Sequence, residues 1–216
     1  MKTLALFGGT FDPIHNGHLR MALELKQRLQ LDEMRLLPSH RPPHRDQPGC
    51  SSAERAAMVE LAVADCAALQ VDRRELERDS PSYMVDTLAE VRQELGDGVS
   101  LILAMGMDSL INLSKWYCWQ ALTDYAHLLV VTRPGYCLPT AGPIAELVQR
   151  CGADASALQQ FSHGRVVITT QTLLPISATE IRDLIGRGLS PEFLLPTTVW
   201  RYIQRQQLYG AVFENE

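Results

Sequence analysis

Residues 7–18, FGGTFDPIHNGH, combine residue types that can bind a phosphate. Two consecutive glycines, Gly8 and Gly9, follow a short apolar run and allow both a positive φ and a close approach of a ligand to the main chain. The helical pattern that follows would present unpaired N–H groups and the positive end of a helix dipole. His15 and His18 can face the same anion, donate hydrogen bonds to it and add charge when protonated. The segment therefore predicts a phosphate site at a strand-to-helix turn.

Each of these features also has a purely structural explanation. A Gly-Gly pair is most often only a turn, and a single histidine is more often a structural residue than a ligand. His15 and His18 could also bind a metal, but neither a cysteine nor a third histidine lies nearby in the sequence to complete a zinc site. The segment is specific as a whole, whereas its single residues are not.

A second helix start of the same character lies near the C-terminus, in residues 176–182, ISATEIR. Ser177 and Glu180 have the spacing of a capping box, which predicts Ser177 as the N-cap of a helix. The hydroxyls of Ser177 and Thr179 can surround an anion together with the first N–H groups, and Arg182 can grip a phosphate about one turn further on. A plain helix start explains Ser177 and Glu180. The segments 7–18 and 176–182 are called the anion-ready segments below, because each combines a helix start with side chains that can bind an anion. Two such helix starts are what a triphosphate lying across a sheet would need.

Other candidate ligand-binding residues follow the predicted strands. Asp108 lies just after the strand Val99–Met105, where an acid can accept both hydroxyls of a ribose or can simply cap the next helix. Trp116 and Tyr117 could stack on a heterocycle or fill the core. The proline-rich segment Ser39–Gly49 forms either a ligand-binding loop or a solvated one. Its basic residues are His40, Arg41, His44 and Arg45.

The apolar pattern alternates short buried strands with helical stretches, which predicts an α/β fold with a parallel sheet. The predicted strands are Lys2–Phe7, Met34–Pro38, Leu69–Asp72, Val99–Met105, His127–Thr132 and Val166–Thr170. The main predicted helices are Asn16–Leu29, Ser51–Ala68, a helix after Ser80 that ends at Leu95, Ile144–Cys151, Ser177–Ile185 and Pro191–Leu208. The charged segment Arg73–Ser80 is expected to face solvent.

Length and composition exclude several classes of protein. A chain of 216 residues, 46% hydrophobic and 21% charged, is ordinary for one α/β domain. The net charge of −5 argues against a nucleic-acid binder, and no segment has the length of a membrane span. The five cysteines form no CxxC pair and no signal peptide is evident, which together indicate a soluble cytoplasmic protein. No feature of the sequence specifies an oligomeric state.

The two anion-ready segments resemble the signatures of the nucleotidylyltransferase superfamily, Gly-Gly-Thr-Phe-Asp-Pro-x-His-x-Gly-His and Ile-Ser-x-Thr-x-Ile-Arg. Over nearly its whole length the chain resembles the bacterial nicotinate-nucleotide adenylyltransferases. The supporting segments are Pro42-Pro43-His44-Arg45, Pro81-Ser82-Tyr83 with Thr87-Leu88, Gly106 to Leu110, Trp116-Tyr117 and Arg133-Pro134-Gly135. The resemblance implies one domain, residues 1–216. Within it, residues 1–175 would form a Rossmann-like doubly wound sheet with helices on both faces, and residues 176–216 a small helical segment that completes the ATP site.

The resemblance also implies a reaction, in which ATP and nicotinate mononucleotide (NaMN) give deamido-NAD and pyrophosphate. Mg²⁺ would accompany ATP, and no residue is implied as a metal ligand. The implied catalytic residues are His15, His18 and Arg182, and the implied ATP-binding residues are Gly8, Gly9, Thr10, Phe11, Gly106, Asp108, Ser177 and Thr179. The implied NaMN-binding residues are His44, Arg45, Tyr83, Met84, Trp116 and Tyr117. Main-chain N–H groups near Tyr83, Met84 and Tyr117 would receive the nicotinate carboxylate. Met84 departs from the family pattern, in which a threonine commonly stands there.

Two alternatives stay open. Another enzyme of the superfamily, acting on phosphopantetheine or on nicotinamide mononucleotide, or one that transfers CMP, would share the terminal motifs. A non-catalytic nucleotide sensor would bind ATP and release no pyrophosphate with any acceptor.

Overall fold

Six β-strands form one parallel sheet in the computed structural model, which describes residues 1–40, 49–78, 81–133, 135–172 and 174–211. The strands are β1 (Lys2–Gly9), β2 (Glu33–Pro38), β3 (Gln70–Val71), β4 (Val99–Gly106), β5 (His127–Val131) and β6 (Val166–Thr169). Their order is β3-β2-β1-β4-β5-β6, and every neighbouring pair is parallel. The chain proceeds from β1 to one edge of the sheet and then from β4 to the other. The topological switch point therefore lies between β1 and β4, where ligands bind in such sheets.

The helices follow the strands in alternation. In the described part of the chain they are α1 (Asn16–Arg28), α2 (Ser52–Val63), α3 (Met84–Leu95), α4 (Met107–Ile111), α5 (Leu122–Tyr125), α6 (Pro143–Cys151), α7 (Ala157–Gln160), α8 (Ala178–Gly186) and α9 (Thr197–Arg205). Short 3-10 helices occupy Arg74–Glu77, Leu113–Lys115, Trp119–Ala121 and Leu208–Gly210. Within these same residues, no helix combines the length and the apolar character that crossing a bilayer would require.

Both faces of the sheet are buried, and they form two separate apolar cores. Successive side chains of β1 point to opposite faces, so Ala5 and Phe7 join one core while Leu4 and Leu6 join the other. Helices α1, α2, α8 and α9 cover the first face, and helices α3 to α6 cover the second. This arrangement confirms the predicted α/β fold with helices on both faces of a doubly wound sheet.

The C-terminal residues pack on the face that α1 and α2 cover. Leu195, Val199 and Ile203 are fully or almost fully buried in that core. The Thr198 hydroxyl donates a hydrogen bond to the main-chain oxygen of Leu61, 3.0 Å away. Helix α9 therefore shares a core with the strands.

Some details of the sequence prediction are wrong. Gly8 and Gly9 belong to β1 and do not adopt a positive φ; the positive φ of this loop is at Phe11, with φ 50°. The segment after β3 does not simply face solvent, because Glu75 is only 2% exposed. Helix α2 ends at Val63, short of Ala68, and the short helix α7 was not predicted.

Candidate active site

A cleft of about 930 Å³ lies at the carboxyl ends of β1, β4 and β5. Both anion-ready segments line it, although they are separated by most of the chain. The sequence-predicted residues among its lining are Gly8, Gly9, Thr10, Phe11, His15, His18, Tyr83, Met84, Gly106, Asp108, Trp116, Tyr117, Ser177, Thr179 and Arg182. His44 and Arg45, also predicted for this site, lie outside the described residues. The structure therefore brings together every predicted site residue that it describes.

The glycines of the first motif make room for aromatic rings. A Cβ atom on Gly9 would lie 2.8 Å from the Phe11 ring, and one on Gly17 would lie 3.0 Å from the imidazole of His15. A Cβ on Gly8 would lie 2.9 Å from the terminal methyl of Met84. Close approach of a ring, and not a positive φ, is therefore the reason for glycine at positions 9 and 17, whereas the methyl of Met84 could move away from a Cβ at position 8.

His15 is the N-cap of α1, and its geometry identifies its tautomer. The backbone N–H of His18 donates to Nδ1 of His15, 3.3 Å away. A neutral imidazole that accepts at Nδ1 carries its proton on Nε2, so Nε2–H is the donor that His15 can offer a ligand. Burial lowers the pKa of His15 to about 4, with a further contribution from the charge of Arg133. His15 is therefore neutral at pH 7 and supplies a hydrogen bond without the charge that the sequence suggested.

His18 is held among three rings. Its imidazole stacks on that of His15, with ring centroids 3.6 Å apart and an interplanar angle of 21°. The Phe11 ring stands perpendicular to it at 5.1 Å, and the Phe7 ring lies 6.1 Å away. These contacts fix the plane of the His18 ring at the edge of the cleft.

The second motif, residues 176–182, contacts the first, residues 7–18, through a hydrogen bond from Arg182 to Asp12. Ser177 caps α8 as predicted, because its hydroxyl accepts the backbone N–H of Glu180, 3.1 Å away. One turn later, Nη1 of Arg182 donates to the main-chain oxygen of Asp12, 2.6 Å away, and Nη2 lies 3.5 Å from the Thr179 hydroxyl. The starts of α1 and α8 thus border the same cleft, and the start of a helix is the positive end of its dipole.

Asp108 does not act as a helix cap. Helix α4 has no side-chain cap among the described residues, and the Asp108 carboxylate instead lies 3.4 Å from Nη1 of Arg133. Any side chain on Gly106 would collide with the Asp108 carboxylate, which explains the glycine there. Arg133 follows β5 and lines the cleft, so its position at a strand end was the signal from which sequence analysis could have found it.

The other end of the cleft is aromatic. The rings of Tyr83 and Tyr117 lie 4.5 Å apart, and Trp116 and Met84 line the cleft beside them. Tyr83 is the N-cap residue of α3, and within the described chain no side chain caps that helix. The N–H groups of Asp86 and Thr87 bond the main-chain oxygen of Tyr83, so the N–H groups of Met84 and Val85 are those that α3 can offer at this end of the cleft.

Two buried charged residues support the site, and sequence analysis missed both. Arg55 is fully buried, and its guanidinium donates to the main-chain oxygens of Thr10 (2.6 Å) and His40 (3.1 Å). Glu75 lines the cleft, accepts a hydrogen bond from the Thr87 hydroxyl (2.9 Å), and has a pKa raised by burial. No local sequence pattern marks either residue, because charged side chains at these positions are usually exposed.

Comparison with known proteins agrees with this geometry. The family model described as cytidylyltransferase-like matches residues 6–184, a range that contains both motifs. A Cellvibrio japonicus protein named "Probable nicotinate-nucleotide adenylyltransferase" is 54% identical over 207 residues, which cover 96% of this chain and 98% of that protein. A Pseudomonas aeruginosa protein of the same name is 46% identical over 211 residues, or 97% of this chain and 98% of that protein.

The chain belongs to the nicotinate-nucleotide adenylyltransferase family. A solved structure titled as Plasmodium falciparum nicotinic acid mononucleotide adenylyltransferase complexed with NaAD has a TM-score of 0.74 and covers 99% of this chain and 100% of its own. A second structure of that protein, complexed with APC, has a TM-score of 0.71 and covers the same shares of the two chains. At 16% and 15% identity these likenesses concern the fold, which is the Rossmann-like nucleotidyltransferase fold of this family.

Proposed function

We propose that this chain transfers AMP from ATP to NaMN, giving deamido-NAD and pyrophosphate in NAD biosynthesis. The observation that carries the proposal is the meeting of two anion-ready helix starts, those of α1 and α8, in a cleft whose other end is aromatic. The first part of the cleft suits a triphosphate, and the second suits a flat base.

The reaction is an in-line displacement at the α-phosphorus of ATP. A phosphate oxygen of NaMN attacks, the bond from the α-phosphorus to the bridging oxygen breaks, and pyrophosphate leaves with that oxygen. The attacking oxygen is already anionic at pH 7, so no protein base and no covalent nucleophile are required. Catalysis then depends on alignment and on neutralising the charge that develops on the phosphates.

The first motif would hold the reacting phosphates. Main-chain N–H groups of residues 8–11 form the cradle, Nε2–H of His15 donates to the phosphates undergoing reaction, and His18 contacts the α-phosphate. Because His15 is neutral at pH 7, positive charge must come from other groups, of which Arg182 is one. The segment 176–216 belongs to the same domain and completes the ATP site, with Ser177, Thr179 and Arg182 on the departing pyrophosphate.

The remaining residues would bind the two nucleosides. Asp108, beside Gly106, accepts the ribose hydroxyls of ATP. Trp116 stacks on the nicotinate ring, and main-chain N–H groups at Tyr83, Met84 and Tyr117 receive its carboxylate. The same proposal places His44 and Arg45, outside the described residues, against NaMN.

ATP would enter as its Mg²⁺ complex. In the described ranges no group of three or more histidine, cysteine, aspartate or glutamate side chains could hold a metal. The phosphates and water would supply most ligands of the ion, as is usual for Mg²⁺ with nucleotides. All five cysteines are free thiols, which suits the cytoplasm as the site of the reaction.

The proposal is tested by measuring pyrophosphate release with ATP and each of three acceptors, NaMN, nicotinamide mononucleotide and phosphopantetheine. The expected result is fast release with NaMN and slower release with the other two. Faster release with phosphopantetheine would assign a different enzyme of the family. ATP binding without release for any acceptor would indicate a nucleotide sensor.

A further inference from the structure

The buried carboxylate of Asp12 lies next to the guanidinium of Arg182, with Nη1 and Oδ2 3.7 Å apart. Asp12 is 7% exposed, and three donors from distant parts of the chain bind its carboxylate. The Tyr209 hydroxyl donates to Oδ1 at 2.6 Å, the Gly49 N–H donates to Oδ2 at 2.9 Å, and the Cys50 thiol donates to Oδ1 at 3.3 Å. The carboxylate is therefore satisfied without an arginine.

The satisfied carboxylate decides how Arg182 is used. Nη1 of Arg182 makes its short bond with the main-chain oxygen of Asp12, at 2.6 Å, whereas it lies 3.7 Å from the carboxylate oxygen Oδ2. The side chain of Arg182 is 33% exposed, and Nη2 is directed to Thr179 in the cleft. The ion pair with Asp12 is therefore long and has no hydrogen bond, so it offsets less of the charge of the guanidinium than a closed, hydrogen-bonded ion pair would.

Tyr209 is held firmly in the position from which it reaches Asp12. It lies in the turn Leu208–Gly210 with a φ of 58°, and its ring fills the space where a Cβ on Gly49 would be, 2.9 Å from such an atom. Burial raises the pKa of the Tyr209 hydroxyl, and the neighbouring Asp12 raises it further, so the hydroxyl stays protonated and remains a donor. Burial likewise raises the pKa of the Cys50 thiol to about 12.

We propose that Tyr209 is a positioning residue for Arg182: its hydroxyl occupies the Asp12 carboxylate and thereby keeps the guanidinium extended toward the departing pyrophosphate. The inference rests on the proposed function, and it concerns a residue beyond the region 6–184 that the family model matches. Without the hydroxyl, Oδ1 loses its shortest hydrogen bond, and the carboxylate is left with more uncompensated negative charge. Arg182, whose Nη1 already lies 3.7 Å from Oδ2, is then drawn into a closer ion pair with Asp12.

The test compares Tyr209→Phe with Tyr202→Phe. Tyr202 lies on α9 and packs against the same core, and no side chain or main-chain group in the described ranges hydrogen-bonds its hydroxyl. Each substitution is made in the wild type and in Arg182→Ala. We measure kcat for pyrophosphate release, and the affinity of pyrophosphate by calorimetry, at a temperature where all variants are folded.

Tyr209→Phe is expected to lower kcat and pyrophosphate affinity by about 10-fold in the wild type and to change neither in Arg182→Ala, because a hydrogen bond to a charged group has about that value. Tyr202→Phe should leave both quantities unchanged. Equal losses from Tyr209→Phe in the two backgrounds, or no loss in either, would overturn the inference. Absence of turnover in the wild type would refute the proposed function instead, and the calorimetric comparison would still decide the role of Tyr209.

Discussion

The imidazole of His15 lies 3.6 Å from that of His18, ring centroid to ring centroid, and its Nδ1 accepts the backbone N–H of His18. The two histidines therefore hold each other in position, and we expect them to have different roles. His15 uses one nitrogen to cap α1, which leaves Nε2–H for a ligand and fixes its tautomer. His18, held between His15 and Phe11, presents its ring from a position that His15 helps to define.

Removing His18 should abolish most of the activity. We expect His18→Ala to lower kcat by about 10²-fold or more, because one preorganised donor to the transition-state phosphate is lost. Pyrophosphate release measures the effect, and circular dichroism checks that the fold is intact. A folded variant with nearly normal turnover would show that His18 has no part in the reaction.

The stability of the protein should depend on the protonation of His15. Its folded-state pKa is about 4 and its ordinary value is 6.5, so between these pH values the unfolded chain binds more protons than the folded one. The free energy of unfolding therefore falls as the pH decreases from 6.5 toward 4, by about 3 kcal/mol from this residue alone. Urea unfolding at a series of pH values measures the slope.

The matched variant for this measurement is His15→Asn, which keeps a side-chain acceptor for the cap but does not titrate. Its free energy of unfolding should change less over the same pH range than that of the wild type. The same slope in both proteins would exclude His15 as the cause.

Asp108 should matter only to nucleotides that carry ribose hydroxyls. Asp108→Asn is expected to raise the KM for ATP by about 10-fold, since a charged acceptor is lost. The corresponding increase with 2′-deoxy-ATP should be smaller, because one of the contacts is already missing. An equal increase for the two nucleotides would indicate that Asp108 acts through Arg133, 3.4 Å away, and not through the sugar.

Arg55 and Arg92 are both buried, but only Arg55 lies beside the cleft. Comparing variants of the two separates an effect on activity from an effect on stability. Arg55 binds the main-chain oxygens of Thr10 and His40 beside the cleft, whereas Arg92 binds four main-chain oxygens at the opposite end of the sheet. The Arg92 acceptors are the carbonyls of Tyr125, Gly96, Val99 and Ser162.

Both Arg55→Lys and Arg92→Lys should lower the free energy of unfolding by about 2 kcal/mol or more, because an ammonium cannot satisfy several carbonyls at once. Only Arg55→Lys should also lower kcat, by about 10-fold, when both variants are assayed below their unfolding transitions. Urea unfolding and pyrophosphate release measure the two effects. Equal kcat values in the two variants would show that Arg55 supports the fold alone.

The sequence predicted the strands, both motifs and their meeting in one cleft, because each of these depends on local spacing or on sheet topology. The carboxyl ends of parallel strands share an edge, so Gly9 and Asp108 had to lie near each other once β1 and β4 were neighbours. Capping predicted the start of α8 for the same local reason, since Ser177 needs only Glu180 nearby.

The buried contacts that support the site residues, those of Arg55, Glu75 and Tyr209, could not be predicted in this way. Arg55 lies on an amphipathic helix where an arginine usually faces solvent, and its carbonyl partners carry no sequence signal. Glu75 sits in a charged segment that gives no sign of its burial. Tyr209 and Asp12 are separated by 197 positions, and a single sequence contains nothing that pairs them.

That separation has a consequence for the order in which the enzyme folds. The loop around Asp12 is held by Tyr209 and, through Asn16, by the main-chain oxygens of Phe193 and Leu194. These contacts join residues far apart in the sequence, whereas the neighbouring strands of the sheet do not need them to pair. We therefore expect the sheet to form first and the loop of the active site to take its final position only when residues 193–209 have packed.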